Sequence, residues 1–277
     1  MPATNPNATA RPVFSIITPV YNGENKIEKT ISSVLSQDAD LFEYIILDGG
    51  STDKTNEILK KYGDALKIFF GPDKGVYDAM NKGIALSSGR YLYFLGAGDT
   101  LQTGILREAA KGLPQHDLAF VYGNVCRPGS ATRYHGQISS LWLGMVYNIC
   151  HQSIFYGREV FELLGDYDIR YRLLADYVMN IKCFGSDKIE KKYLDVVVAE
   201  YEGSGMSHNN EDWDFVRDFP SLVKNNLRVS NNEYINSVFH FLSSLKVKGP
   251  FRKLRFYLYS LYFIVGRVLS AKRTSVI

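Results

Sequence analysis

The sequence predicts an α/β protein with a mostly parallel central sheet, flanking helices and a helical C-terminal extension. Short apolar runs alternate with helical spacings through the first 125 residues, and several of those runs stop abruptly at Pro, Gly or Asp. Strands separated by helices require right-handed crossovers, which produce a parallel sheet covered on both faces. After Val125 the rhythm is lost, and a helical pattern resumes from about Glu211.

Val13–Thr18 reads as a buried strand stopped at Pro19, and Asn22–Gly23 breaks the chain. Ile27, Ile31, Val34 and Leu35 then recur at helical spacing. Phe42–Leu47 is a second strand, ending at Asp48 and the turn Gly49–Gly50–Ser51, after which Ser51 or Thr52 is placed to cap a helix through about Tyr62. Leu66–Phe70 is a third strand, and Val76–Leu86 a helix closed by Ser88–Gly89. Tyr91–Leu95 is a fourth strand, running into Gly96–Ala97–Gly98–Asp99, and Leu118–Val125 a fifth. Residues 126–148 read as loop and irregular helix, 161–164 and 175–184 as helical, and 189–201 as extended. The resulting division is a polar N-terminal tail (1–12), one domain (13–210) in two halves (13–125 and 126–210), and a helical region (211–277). No internal repeat marks a solenoid or propeller.

A chain of 277 residues can bury one sizeable core. Its 45% hydrophobic and 22% charged residues are ordinarily globular, with no collagen-like or low-complexity bias. Cys126, Cys150 and Cys183 are few, scattered and without C-x-x-C spacing, which favours unpaired thiols in a reducing compartment. The start carries no apolar signal-peptide core. The net charge of +3 is uneven: after Glu233 there are eight basic residues and no acidic one, whereas the first 233 residues hold 24 basic against 29 acidic. A mildly acidic body with a basic, aromatic tail points to a membrane surface or another polyanion.

In an open α/β sheet, ligands bind outside the carboxyl ends of the strands. Asp48 and Asp99 both follow strands directly, as does Pro19–Val20–Tyr21–Asn22. One such Asp reads equally well as a turn former or helix cap; several on one edge favour a site. There is no G-x-x-x-x-G-K-[ST] and no strand-linked G-x-G-x-x-G, which argues against a P-loop or dinucleotide fold. Asp99, in a turn whose glycines allow close approach of a diphosphate, is a candidate ligand for Mg²⁺ or Mn²⁺.

Four blocks then carry a family resemblance. Ser15–Gln37 (SIITPVYNGENKIEKTISSVLSQ) resembles the opening of the family 2 inverting glycosyltransferases of the GT-A fold, a Rossmann-like nucleotide-diphospho-sugar transferase architecture. Glu43–Thr55 (EYIILDGGSTDKT) and Pro72–Asp99 (PDKGVYDAMNKGIALSSGRYLYFLGAGD) resemble the second and third blocks, and Cys150–Lys182 the acceptor-side block of bacterial surface-polysaccharide members. The resemblance spans roughly residues 13–210.

It implies that Pro19, Tyr21 and Glu24 line the nucleotide pocket and that Asp48 accepts a hydrogen bond from the base. Lys74, Asp78, Lys82 and Gly98 would lie near the ribose, diphosphate or donor sugar, and Asp99 would ligate the metal. Asp176 matches the catalytic base, a carboxylate that deprotonates the acceptor hydroxyl opposite the leaving nucleotide; by position alone it reads as a helix N-terminal carboxylate. His151 and Gln152 fall in the acceptor or donor-sugar pocket. The family's turn usually carries two or more acidic residues where this one offers Asp99 alone, with His208 as a possible partner. Asp53 reads as a helix-start residue, and Lys60–Lys61 and Lys191–Lys192 as solvated faces.

Trp213 lacks the Q-x-x-R-W setting of processive synthases, so transfer of a single sugar is expected. Phe256–Val265 is an apolar stretch flanked by basic residues and too short to span a bilayer, which needs ~20 residues. It suits a helix lying on anionic lipid, the alternative being packing on protein. The combined expectation is a cytoplasmic enzyme, peripheral on the inner face of the cell membrane. It would use a nucleoside-diphosphate sugar, a divalent metal and a saccharide or lipid-linked acceptor, and no nucleic acid. The rival readings are a sugar nucleotidyltransferase and a binding module that kept the fold without activity.

Overall fold

The structure, a computed structural model, describes residues 11–134, 136–144, 148–203 and 211–244. The chain runs β1 (Phe14–Val20), α1 (Ile27–Leu35), β2 (Phe42–Asp48), α2 (Thr55–Lys60), β3 (Lys67–Phe70), α3 (Val76–Leu86) and β4 (Tyr91–Phe94). It continues through β5 (Thr100–Leu101), α4 (Ile105–Gly112), β6 (Ala119–Cys126), β7 (Arg133–Tyr134), α5 (Ser140–Gly144), β8 (Ile154–Gly157) and α6 (Arg158–Leu164). The last elements are α7 (Ala175–Gly185), β9 (Glu190–Glu200), α8 (Trp213–Asn226) and α9 (Asn231–Ser244). They build one sheet in the order β3-β2-β1-β4-β8-β6-β9-β5, with β7 paired to β6.

The first half follows the alternation in the sequence. β3, β2, β1 and β4 are all parallel, with Val20 in register with Asp48 and Asp48 with Phe70. Pro19 is tolerated in this central strand because pairing of β1 with β4 ends at Ile17–Phe94, below it. Beyond β4 the sheet becomes mixed. β8 is inserted antiparallel between β4 and β6, β9 lies parallel to β6, and β5 pairs antiparallel to β9. β8 is missing from the sequence reading because IFYG is four residues long, wholly buried and followed at once by a helix. Such a short apolar run has no period to read.

The antiparallel insertion positions the site. Ile154, the first residue of β8, pairs with Tyr122 towards the C-terminal end of β6. The residues just before β8 therefore arrive at the edge where β1, β2 and β4 end. β9 runs parallel to β6 and delivers the residues after Glu200 to the same edge.

Side chains alternate between two cores, one on each face of the sheet. Ile17, Ile45, Leu47, Leu92, Phe94, Phe120 and Tyr122 pack with α3, α6, α7 and α8. Ile16, Tyr44, Ile46, Tyr91, Tyr93 and Val121 pack with α1, α2 and α4. A Cβ on Gly83 would lie 2.4 Å from Ile17 Cγ2, so this glycine sets how closely α3 approaches β1. Phe215 of α8 stacks on Tyr177 of α7 with centroids 5.1 Å apart, and Phe219 stacks on Phe241 of α9. Residues 211–244 thus share the core of the body. No helix among the described residues is long and apolar enough to cross a membrane.

Candidate active site

The loops after β1 and β2 are laced together. Asn22 adopts a left-handed φ of +50°, and its Oδ1 accepts from Thr52 N–H at 2.9 Å. Ser51 Oγ accepts from Asn22 N–H, and Asp53 accepts from the N–H groups of Glu24 and Thr55. Asp53 therefore serves the start of α2, as its position implies. Ser51 and Thr52, expected to cap that helix, instead bind the β1 loop, because the helix begins later, at Thr55. Glu24, expected in the nucleotide pocket, accepts from Lys54 N–H at 3.0 Å. Pro19 is half-buried at the strand end, and Tyr21 is 64% exposed above it.

Asp48 is buried at the end of β2. Its Oδ1 accepts from Gly50 N–H at 2.8 Å and Ser51 N–H at 2.6 Å, while its Oδ2 is buried with no hydrogen-bond partner. A buried carboxylate oxygen left empty is costly and marks a place where a ligand N–H fits. A cleft of about 380 Å³ opens beside it, lined by Phe70, Gly71, Asp73, Lys82 and Leu86 among others.

At the start of α3, Asp78 Oδ2 accepts from Lys74 N–H at 3.0 Å and pairs with Lys82 Nζ at 2.9 Å. These hydrogen bonds and the Lys82 charge hold the Asp78 carboxyl below its usual pKa. Lys82 Nζ also donates to Pro72 O. Asp78 is thus occupied in closing the helix start, while Lys74 is exposed.

Asp99 is buried where the Gly96–Asp99 turn leaves β4. Its Oδ2 accepts from Gln152 Nε2 at 2.7 Å, and its Oδ1 from Glu202 N–H at 3.0 Å. Burial raises its pKa, against the lowering effect of those two hydrogen bonds. Gly98, at φ +110°, leaves room for Glu202, whose Oε2 would lie 2.8 Å from an added Cβ. Glu202 itself pairs with Lys26 and Lys29 of the α1 region. No group of three or more His, Cys, Asp or Glu side chains poised to hold a metal occurs among the described residues. His208 lies outside them, as do residues 245–277 with the basic aromatic segment, and residues 1–10.

Asp176 lies in the first turn of α7 and is 5% exposed. Its Oδ1 accepts from Tyr77 OH and Tyr177 N–H, at 2.8 and 2.9 Å, and its Oδ2 from Asn148 Nδ2 at 2.9 Å. His151 Nδ1 stands 3.6 Å from Oδ2. Behind Asn148, Asn180 donates to Asn148 Oδ1 and accepts from Tyr156 OH, which fixes the amide's orientation. Asp212, the N-cap of α8, accepts from the N–H groups of Leu173 and Leu174 and pins the turn before α7. Cys150 lies near enough to both carboxylates to feel their charge. Burial, reinforced by the charges of Asp176 and Asp99, pushes its thiol up to about 12. It stays protonated and is no nucleophile.

The structure thus unites Asp99, Gln152, His151 and Asp176, with Asp48 and its cleft further along the same strand edge. Sequence reasoning missed Tyr77, Asn148 and Glu202. Glu202 follows β9 just as Asp48 and Asp99 end β2 and follow β4, so the strand-end rule could have found it. Tyr77 lies in the Pro72–Asp99 block beside Asp78. Asn148 sits in irregular chain and carries no comparable signal.

A family model described as Glycosyl transferase family 2 matches residues 15–162. A "PGL/p-HBAD biosynthesis glycosyltransferase" of Mycobacterium bovis is 38% identical over 227 residues, covering 79% of this chain and 89% of that protein. Among solved structures, Staphylococcus aureus TarS 1-349 in complex with UDP-GlcNAc aligns with a TM-score of 0.65 at 18% identity, over 83% of this chain and 71% of that one. The chain spans 46% of the longer TarS chain. A Pyrobaculum calidifontis mannosyltransferase, PcManGT, in complex with GDP-Man and Mn²⁺ aligns at 0.57 and 15% identity, over 94% and 81%. With half the chain matched by the family model and a relative this close over most of its length, the protein belongs to glycosyl transferase family 2 and is a glycosyltransferase.

Proposed function

We propose that the protein transfers one sugar from a nucleoside-diphosphate sugar, with inversion and without processivity, to a saccharide acceptor carried on a lipid. The observation that carries this reading is the bridge at the strand edge. Two adjacent residues, Gln152 and His151, face two buried carboxylates, Asp99 and Asp176. One carboxylate would serve the diphosphate and the other the attacking hydroxyl.

Asp48 Oδ2 supplies the acceptor for a ring N–H, which uracil, thymine and guanine all offer. The fold carries UDP-GlcNAc in TarS and GDP-Man in PcManGT, so it does not choose the base. A divalent metal suits Asp99: each carboxylate oxygen keeps a lone pair beyond its protein donor, and burial of the charge favours a hard cation. Asp99 would hold the ion, with Glu202 beside Gly98 as the nearby second carboxylate. Such an ion neutralises charge building on the departing diphosphate.

The relative's role in PGL/p-HBAD biosynthesis supports a lipid-borne acceptor, and so does the basic aromatic stretch around Phe256–Val265. We place the protein in the cytoplasm, bound peripherally to anionic lipid. Truncation after Ser244, which keeps α9 and removes all eight basic residues of the tail, is expected to abolish sedimentation with anionic liposomes.

A thermal-shift screen of UDP-, GDP- and dTDP-sugars, with and without Mn²⁺, tests the donor site. One nucleotide class should stabilise the wild type in a metal-dependent way, by about 2.7 kcal/mol at a hundredfold excess over Kd. Asp99→Ala should lose the metal-dependent part. A folded wild type unmoved by every donor would overturn this reading of the donor site.

A further inference from the structure

We propose, resting on the glycosyl-transfer reading above, that the donor nucleotide carries guanine. Asp73 would select it by accepting a hydrogen from the exocyclic amino group while Asp48 accepts the ring N1–H.

A carboxylate offers about four acceptor sites, two on each oxygen. Both on Asp48 Oδ1 are filled, by the N–H groups of Gly50 and Ser51. Only the buried, unpartnered Oδ2 is left for a base. The two-oxygen grip that a free carboxylate gives guanine is therefore closed to Asp48, and a second acceptor has to come from elsewhere. Asp73 supplies it. Its Oδ1 accepts from Gly75 N–H at 2.9 Å, and no other hydrogen bond to this carboxylate is present among the described residues. Its Oδ2 lies so close over Gly49 that a Cβ added there would come within 2.4 Å of it. Gly49 directly follows Asp48, and the two carboxylates line one cleft.

The hydrogen-bonding edges of the bases differ at this second carboxylate. Neutral adenine and cytosine carry no ring N–H for Asp48. Uracil and thymine present carbonyl, N–H, carbonyl. With N3–H on Asp48 Oδ2, a carbonyl oxygen flanks the bond on either side, and one turned towards Asp73 sets acceptor against acceptor. Guanine presents carbonyl, N–H, amino, so its amino group has a hydrogen for Asp73. An unmet acceptor pair disfavours the wrong base as much as the new hydrogen bond favours the right one. Lys82 also lines the cleft. Its ammonium donates to Pro72 O and pairs with Asp78, which leaves a third hydrogen. That hydrogen suits a carbonyl of guanine or of uracil alike, so Asp73 is the group that separates them.

The walls suit a wide, flat ring. Phe69, Phe70 and Leu86 are large apolar side chains left exposed, and all three line this cleft of about 380 Å³. A base seated there would take their surface out of water, and a purine covers more of it than a pyrimidine.

Calorimetric titration of the full chain with GDP, IDP, UDP and dTDP in the presence of Mn²⁺ tests the proposal. IDP is the guanine nucleotide without its exocyclic amino group, so the GDP–IDP difference reads that group alone. Wild type should bind GDP about 10- to 100-fold tighter than IDP, UDP or dTDP, as expected for one hydrogen bond to a charged acceptor. Asp73→Ala should bring GDP down to the level of IDP while IDP itself moves by less than about threefold, and the retained IDP binding shows that the variant is folded. Asp73→Asn adds an amide donor and should narrow the gap between GDP and UDP. Equal wild-type affinities for GDP and IDP, or a preference for UDP or dTDP, overturn the proposal and leave the glycosyl-transfer reading standing. A loss in Asp73→Ala shared equally by all four nucleotides places Asp73 on the ribose or diphosphate and overturns it too. Failure of the folded wild type to bind any of the four defeats the donor-site reading itself.

Discussion

Where β1 and β2 end, Asp48 bonds to backbone groups two and three residues ahead of it, and neighbouring strand-end loops complete the lacing. Further along the same strand edge, Asp176 draws its side-chain partners from 28 and 99 residues away, and Asp99 meets Gln152 across 53. The first region is made by parallel strands that all stop at one level. The second exists only because β8 runs backwards between β4 and β6 and delivers His151 and Gln152 to that level. A site assembled locally can hold a ligand as soon as its loops form. A site assembled from distant segments requires the whole sheet, and it can be reoriented by changes that leave the loops after β1 and β2 untouched.

This division makes separable predictions. The largest effect belongs to the long-range region: Asp176→Asn should lower turnover by about 100- to 10,000-fold while nucleotide affinity stays within a few-fold. Tight-binding nucleotide titrations beside turnover measurements would show it, and a comparable loss of affinity would mean the two regions are one unit. Next comes Asp48→Asn, which removes the charge behind the empty Oδ2. Loss of a charge-assisted hydrogen bond should weaken nucleoside-diphosphate binding by about 10- to 100-fold and leave turnover at saturation little changed. Calorimetry on the same donor checks it.

The smallest effect should come from the opposite foot of the sheet. There Glu43 accepts from Ser15 Oγ at 2.6 Å, Lys67 Nζ at 2.6 Å and Gly89 N–H at 3.1 Å. Burial raises its pKa, but the hydrogen bonds from Lys67, Ser15 and Ser88 outweigh it and bring the carboxyl down to about 2. A folded-state pKa below the ordinary 4.5 means stability that is full above that value and is lost as pH falls from 4.5 towards 2. Wild-type melting temperature should fall through that window. Glu43→Gln should start lower and show a shallower fall, with nucleotide binding unchanged at neutral pH. A fall of equal steepness in the variant would assign the acid sensitivity elsewhere.

The legibility of the sequence follows the same division. β1 to β4 and the helices between them were readable because apolar runs, Gly/Pro/Asp breaks and helical spacings agree over short windows. Asp48 and Asp99 were legible as strand-end carboxylates, and Asp176, His151 and Gln152 through the resemblance of their block. The orientation of β8 had no local signal, since IFYG is buried on both faces and reads the same in either direction. The local role of Asp78 and Glu24 in closing loops was equally hidden, because a carboxylate that caps a backbone N–H and one that meets a ligand look alike in a sequence.

What the sequence determined by itself, then, is the parallel half, its strand-end carboxylates and the family to which its blocks belong. Each depends on residues within one strand–turn–helix unit, where period and turn chemistry suffice. Only the tertiary structure decided that Gln152 would bond Asp99 while its neighbour His151 approached Asp176, and that Tyr77 would reach Asp176 from α3. Those contacts are fixed by the direction in which a four-residue strand enters a sheet, which is settled by its packing between β4 and β6.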